Sequence, residues 1–238
     1  MDTKYRRVLL KISGEMLSGD NTTIDQEKIS VLCREILKCY KKGTQLALVI
    51  GAGNIFRGHT YNGKSYQFDR VDADKMGMIS TVVNALALQA QLDVLGAKTL
   101  LQSSFTIEGI CERFNKKTAL EAMNDGKIII FCGGTGNPFF STDSAAALRA
   151  CELGVDVLLK GTNVDGVYDS NPKTNKNAKK FDNITYHDAI EKNLKVMDQT
   201  AFVICMENAI PMRIFNVHVD GNIERVINGE AIGTLLEK

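Results

Sequence analysis

Two hydrophobic rhythms alternate along the chain. Short apolar runs at 7–13, 45–50, 97–102, 127–132 and 155–160 read as strands, the second almost wholly apolar. Between them, residues 25–42, 74–95, 116–124 and 143–153 carry apolar positions three and four apart and read as helices. In the first of these Ile29, Leu32, Cys33, Ile36 and Leu37 sit at core spacing, and Gly43, Gly96, Asp125-Gly126 and Gly154 supply the stops. Strands apolar on both sides and separated by helices predict a mainly parallel sheet covered on both faces.

The rhythm breaks from 162 to about 183, where Asp, Asn, Gly and Lys dominate and Pro172 interrupts. Such a stretch predicts a hairpin or a loop over a ligand. Helices near 186–193 and 198–208, a strand at 211–216, a short helix at 222–228 and a last strand at 234–236 follow. No internal repeat or low-complexity linker divides the chain.

Helix 74–95 is apolar nearly all round. Met76, Ile79, Val83, Leu86 and Ala90 form one stripe, and Met78, Val82, Ala85, Leu88 and Leu92 a second. Either the helix is buried within one subunit, or one stripe packs on its own sheet and the other on a partner subunit.

With 238 residues, 44% of them hydrophobic, the chain has material for one substantial core. Its 29 Lys and Arg against 28 Asp and Glu leave a net charge of +1, which argues against a nucleic-acid or polybasic membrane surface. An anionic substrate must then be met by local charges. The six cysteines form no C-x-x-C pair and the three histidines are scattered, so neither a zinc site nor a disulfide framework is expected. No stretch approaches a signal-peptide core or a membrane span, and the expected location is the cytoplasm.

The chemistry concentrates after the strands. Gly134-Thr135-Gly136-Asn137-Pro138-Phe139-Phe140-Ser141-Thr142-Asp143 runs from a glycine turn into a helix start with Ser141 or Thr142 as N-cap. Free N–H groups and the helix dipole make this an anion site. The acid Asp143 at its mouth then has another task, to hold a lysine or a metal. Lys11-Ile12-Ser13-Gly14-Glu15, Gly51-Ala52-Gly53-Asn54-Ile55-Phe56-Arg57-Gly58 and Lys160-Gly161-Thr162-Asn163-Val164-Asp165-Gly166 likewise follow strands. Open α/β sheets bind ligands at that edge. The P-loop pattern is absent, and Phe56 stands where a dinucleotide fingerprint needs its third glycine.

Phosphoryl transfer between two phosphates needs positioning and cations rather than a base. Lys11 and Lys160 suit the cations, though a strand-end lysine can also simply snorkel. Asp143 can orient both or merely complement the helix dipole. Arg57 suits a bidentate phosphate grip or a solvated loop. Asp74 is either an acceptor for a sugar hydroxyl or a helix N-cap, and Asp165-Gly166 can be a plain turn.

These motifs, with Asp74-Lys-Met-Gly-Met78, Leu194-Lys-Val-Met-Asp198 and Gly233-Thr234, resemble those of bacterial uridylate (UMP) kinases in the amino-acid-kinase superfamily, from about Tyr5 to the C-terminus. The resemblance implies a three-layer αβα sandwich in one domain over residues 1–238, mainly UMP-binding in its N-terminal part and mainly ATP-binding over about 154–238. It implies transfer of the ATP γ-phosphoryl group to UMP, with Mg2+ carried on ATP and no metal ligand assigned to the chain. The catalytic residues it implies are Lys11, Lys160 and Asp143. ATP would meet Lys11, Ile12, Ser13, Gly14, Gly53, Arg57, Thr162, Tyr168 and Asn171. UMP would meet Ala52, Arg57, Asp74 and Thr135, Gly136, Asn137, Pro138, Phe139, Phe140, Ser141 and Thr142. UTP is implied as a feedback inhibitor, and a hexamer built from dimers through helix 74–95 as the assembly.

Three features depart from the family pattern. Ala52 replaces the middle of a triple glycine, and its φ is expected to suit alanine. Asn171 stands where the family has aspartate before proline. The 18–23 segment is short and poor in glycine, which argues against activation by GTP. Other readings are an acyl-phosphate-forming kinase of the same superfamily and a non-catalytic nucleotide-binding protein.

Overall fold

The computed structural model describes residues 3–56, 69–172 and 174–238. The strands are β1 (Arg7–Ile12), β2 (Gln45–Ile50), β3 (Thr99–Ser103), β4 (Glu112–Arg113), β5 (Ile128–Cys132), β6 (Val157–Thr162), β7 (Val167–Tyr168), β8 (Lys180–Phe181), β9 (Asn183–Thr185), β10 (Met212–Asn216) and β11 (Thr234–Glu237). The helices are α1 (Gln26–Lys41), α2 (Arg70–Val94), α3 (Lys116–Asn124), α4 (Thr142–Leu153), α5 (Tyr186–Glu191), α6 (Gln199–Glu207) and α7 (Asn222–Ile227). Among the described residues nine strands form one sheet in the order β4-β3-β5-β2-β1-β6-β10-β11-β9. Its ladders are parallel except where β11 runs antiparallel to β10.

Alternation along each strand divides the core into two layers. Val8, Leu10 and Ile12 of β1 pack with α1, α2 and α7, while Leu9 packs with α3, α4, α5 and α6 on the other face. The result is the expected helix–sheet–helix sandwich. The β2, β5, β3 and β4 strands lie to one side of β1, and β6 and its followers to the other. The β1–β6 boundary is therefore the switch point of the sheet, where a crevice opens at the carboxyl ends of the strands.

Local capping explains most differences from the periodicity. Asp69 caps α2 by accepting from Val71 N, so the helix starts four residues before 74 and Asp74 lies inside it. That removes the N-cap reading of Asp74. Ser141, not Thr142, caps α4, accepting from Asp143 N and Ser144 N, and Gly154 ends it at φ 59°. The break after 162 holds the β7–β8 hairpin and then β9. Two further elements carry no periodic signal, the exposed two-residue β4 and a 3-10 turn at Gly14–Leu17.

The two stripes of α2 separate except at Met78, which is half-buried and faces a cavity. Val82, Ala85, Leu88 and Leu92 are buried, whereas Met76, Ile79, Val83 and Leu86 are exposed. All six cysteines are free thiols. Among the described residues no helix is long and apolar enough to cross a membrane.

Candidate active site

Residues of a strand two apart share a face, so Lys11 follows Leu9, and Lys160 follows Leu158, onto the α4 side of the sheet. The two lysines are register partners across β1 and β6. Both turn toward Asp143 in the first turn of α4. Lys160 Nζ donates to Asp143 Oδ2 at 2.5 Å, and Lys11 Nζ stands 2.6 Å from Oδ1. The two ammonium groups thus take one carboxylate oxygen each. Asp143 is only 9% exposed, so it lies beneath the mouth that the sequence suggested rather than in it.

Burial pushes the Asp143 carboxyl up, but the ammonium groups of Lys11 and Lys160 outweigh it and hold the carboxyl at about 2. For Lys160 burial dominates in the other direction. It lowers the ammonium from its ordinary value, against the attraction of Asp143 and with help from the Lys11 charge. One carboxylate between two buried cations leaves one positive charge uncompensated, an arrangement that can receive an anion.

Beside this centre lies a cavity of about 250 Å³. Ala52, Gly53, Asp74, Phe140, Ser141 and Thr142 line it, together with Gly77, Met78, Thr81 and Gly134. Six residues expected to bind an acceptor or its donor thus share one wall. Thr135, Gly136, Asn137, Pro138 and Phe139 form the turn above it. Thr135 Oγ1 accepts from Asn137 N at 3.1 Å, and Gly136 N donates to Gly133 O at 3.1 Å. Asp74 Oδ2 accepts from Phe139 N at 2.7 Å, and the Arg70 Nε–H reaches both its oxygens at 2.9 and 3.0 Å. Phe139 has φ 71°, a left-handed value unusual for an aromatic residue. Ala52 is absent from the positive-φ residues, so its methyl group carries no backbone strain. Arg57 falls outside the described residues.

On the other side a cavity of about 400 Å³ opens against Asp143 and Lys160. Its remaining wall is residues 193–199, ending in Asp198 and Gln199, and does not include Thr162, Tyr168 or Asn171. Thr162 Oγ1 accepts from Val164 N at 2.8 Å, the Tyr168 hydroxyl donates to Asp165, and Asn171 O accepts from Thr174 N and Asn175 N. Those three residues lie on the β6–β8 excursion. Ile12 is the last residue of β1, and Ser13 and Gly14 lead into the 3-10 turn.

Four supporting side chains are given no part in the site by the sequence reading. Asp198 caps α6 and accepts from the Ser141 and Ser144 hydroxyls, tying both ends of the site to α4. Thr81 Oγ1 accepts from Gly133 N at 2.7 Å, and Asn84 and Asn54 bind each other. Polar residues within the buried stripe of α2 were the available signal: Thr81 and Asn84 interrupt an otherwise apolar face.

Fold and site define a phosphotransferase-like α/β protein, and residues 6–216 match the amino acid kinase family, to which the chain belongs. Within that family its relatives are narrower in kind. A uridylate kinase of Xanthomonas oryzae pv. oryzae is 47% identical over 237 residues, 99% of this chain and 98% of the relative. A chloroplastic uridylate kinase of Arabidopsis thaliana is 46% identical over 98% of this chain and 69% of its own length. The crystal structure of UMP kinase from Bacillus anthracis superposes with a TM-score of 0.94 at 34% identity, covering 98% of this chain and 96% of that one.

Proposed function

We propose that the chain is a UMP kinase, moving the γ-phosphoryl group of ATP reversibly to UMP to give UDP and ADP. The observation that carries this reading is the pair of in-register lysines on one carboxylate, beside a cavity that Asp74 helps to line. The UMP phosphate is already ionised near neutral pH, so its oxygen attacks without a base. Lys11 and Lys160 neutralise charge on the transferring group, and Asp143 holds both ammonium groups in place before substrate arrives. Asp74 accepts from the UMP ribose, and residues 134–142 seat the base and phosphate. Ser13, Gly14 and the 193–199 wall face the donor, with Tyr168 and Asn171 toward its nucleoside.

Mg2+ carried on ATP would supply charge neutralisation at the phosphates. Asp143 is engaged by both lysines, and the described residues bring no cluster of three carboxylate, histidine or cysteine ligands together, so the ion would be held mainly by phosphate and water. Residues 1–238 act as one amino-acid-kinase domain in the cytoplasm. UTP, sharing the UMP moiety, competes for the acceptor seat. The exposed stripe of α2 joins two copies, and dimers assemble into a hexamer.

The test is product identification by chromatography with ATP and UMP, CMP, AMP or no acceptor. UDP formed in step with ADP supports the reading. ADP released equally without acceptor, or no ADP at all, overturns it.

A further inference from the structure

The junction between the donor-side turn and the acceptor-side turn is held by a closed amide pair. Asn84, on α2, is fully buried. Its Nδ2 donates to Gly51 O at 2.8 Å and to Asn54 Oδ1 at 2.8 Å. Asn54 Nδ2 returns a hydrogen bond to Asn84 Oδ1 at 3.1 Å and donates its other proton to Thr23 O at 2.8 Å. Every amide proton of the pair is used: two close the pair itself, one secures Gly51 O and one Thr23 O. A buried network satisfied to this extent fixes one arrangement and penalises the rest.

The segments it joins are the ones that must face each other across the transferred group. Gly51 opens the turn that continues into Ala52 and Gly53 of the acceptor cavity. Gly14 opens the turn after Lys11. A Cβ on Gly14 would collide with Asn54 Oδ1, lie 2.5 Å from Gly51 O and 2.9 Å from Ala52 Cα. The donor turn therefore rests directly on the amide pair and on the backbone it secures. One turn earlier on α2, Thr81 pins Gly133 N, so the same helix face also anchors the start of the 134–142 loop.

We infer that Asn54 and Asn84 are positioning residues that set the spacing between the donor and acceptor phosphates. They touch neither substrate in this account and act through Gly51 and Gly14. The inference rests on the kinase reading. Displacing reacting groups by about 1 Å can cost on the order of a hundredfold in rate while leaving each substrate's own contacts intact.

The experiment compares Asn54→Ala, Asn84→Ala and the double variant with the parent, measuring kcat for UDP formation, the separate dissociation constants of UMP and ATP, and the ratio of ADP to UDP formed. The expected result is a kcat reduced roughly 10- to 100-fold in each single variant. Binding constants should stay within about threefold, and the ADP:UDP ratio should rise above one as water competes for a misplaced phosphoryl group. The double variant should lose little more than either single one, as for groups acting as a unit. Should Asn84→Ala fail to fold, Asn54→Ala in its half-buried turn carries the same test. A kcat within twofold of the parent, additive losses, or a loss confined to the binding constants overturns the inference. A parent that makes no UDP overturns the kinase reading itself.

Discussion

Lys11 and Lys160 are direct register partners on adjacent parallel strands, and each closes on a different oxygen of Asp143. Like charges side by side in a sheet interior repel, so this pairing is stable only with the carboxylate between them. Replacing Asp143 by Asn keeps the volume and removes the charge. We expect Asp143→Asn to lose on the order of 3 kcal/mol of stability, since two buried cations then face each other unpaired. ATP should restore part of the loss, because its phosphates can replace the missing anion. Denaturant unfolding with and without nucleotide reads both effects.

The same cluster sets the acid response. The folded Asp143 carboxyl, held at about 2, lies below its ordinary value of 3.8. Its contribution to stability is therefore fully present above 3.8 and disappears as the pH falls through about 2. The Asp143→Asn variant should lose the part of the parent's acid-unfolding slope that falls in this window. A slope unchanged by the substitution would contradict the assignment.

Lys160 sets the alkaline response. Burial and the Lys11 charge lower its ammonium below the ordinary 10.5. It therefore loses its proton earlier than a solvated lysine. The alkaline limb of kcat/KM, which reports the free enzyme, should begin below the ordinary lysine range. The limb in kcat should move upward, because bound phosphates favour the charged form. Full rate profiles at limiting and saturating substrate separate the two.

Asp74 accepts from Arg70 Nε and from Phe139 N, which ties α2 to the 134–142 loop. Losing hydrogen bonds to a charged group costs about 1.5–3 kcal/mol. Asp74→Ala should raise the KM for UMP roughly 10- to 100-fold and leave the KM for ATP nearly unchanged, as initial rates with each substrate varied will read.

Met76, Ile79, Val83 and Leu86 leave an apolar stripe exposed on α2 while the opposite stripe is buried. A charge in that stripe costs nothing within one subunit but opposes a two-fold contact. Val83→Glu should lower the molar mass found by light scattering, with the circular dichroism spectrum retained.

Much of this architecture was legible because the strands carry their signal locally. The apolar runs at 45–50 and 127–132 sit in the sheet nearly to the residue, and the 116–124 helix reproduces its bounds. The start of α2 was missed because its capping residue, Asp69, lies outside the apolar period that marks the helix body. Lys11, Lys160 and Asp143 stood out as charges where packing favours apolar or small residues, yet only the β1–β6 ladder shows why one acid serves both lysines. Asn84 interrupts an apolar stripe and Asn54 lies in a glycine turn, but nothing pairs them in the sequence: 30 positions separate them, and a buried amide has meaning only through the partner the fold brings to it. Asp198 read as a helix start, which it is, and its second role toward Ser141 and Ser144 depends on the packing of α6 against α4.

The central claim is that Lys11, Lys160 and Asp143 act on the transferring group rather than on acceptor binding. Measuring kcat and the UMP dissociation constant of Lys11→Ala side by side tests it most directly. The account predicts a kcat lowered about a hundredfold or more, corresponding to about 3 kcal/mol of transition-state stabilisation, with UMP binding within about threefold of the parent. A near-parent kcat, or a loss found entirely in UMP affinity, would contradict it.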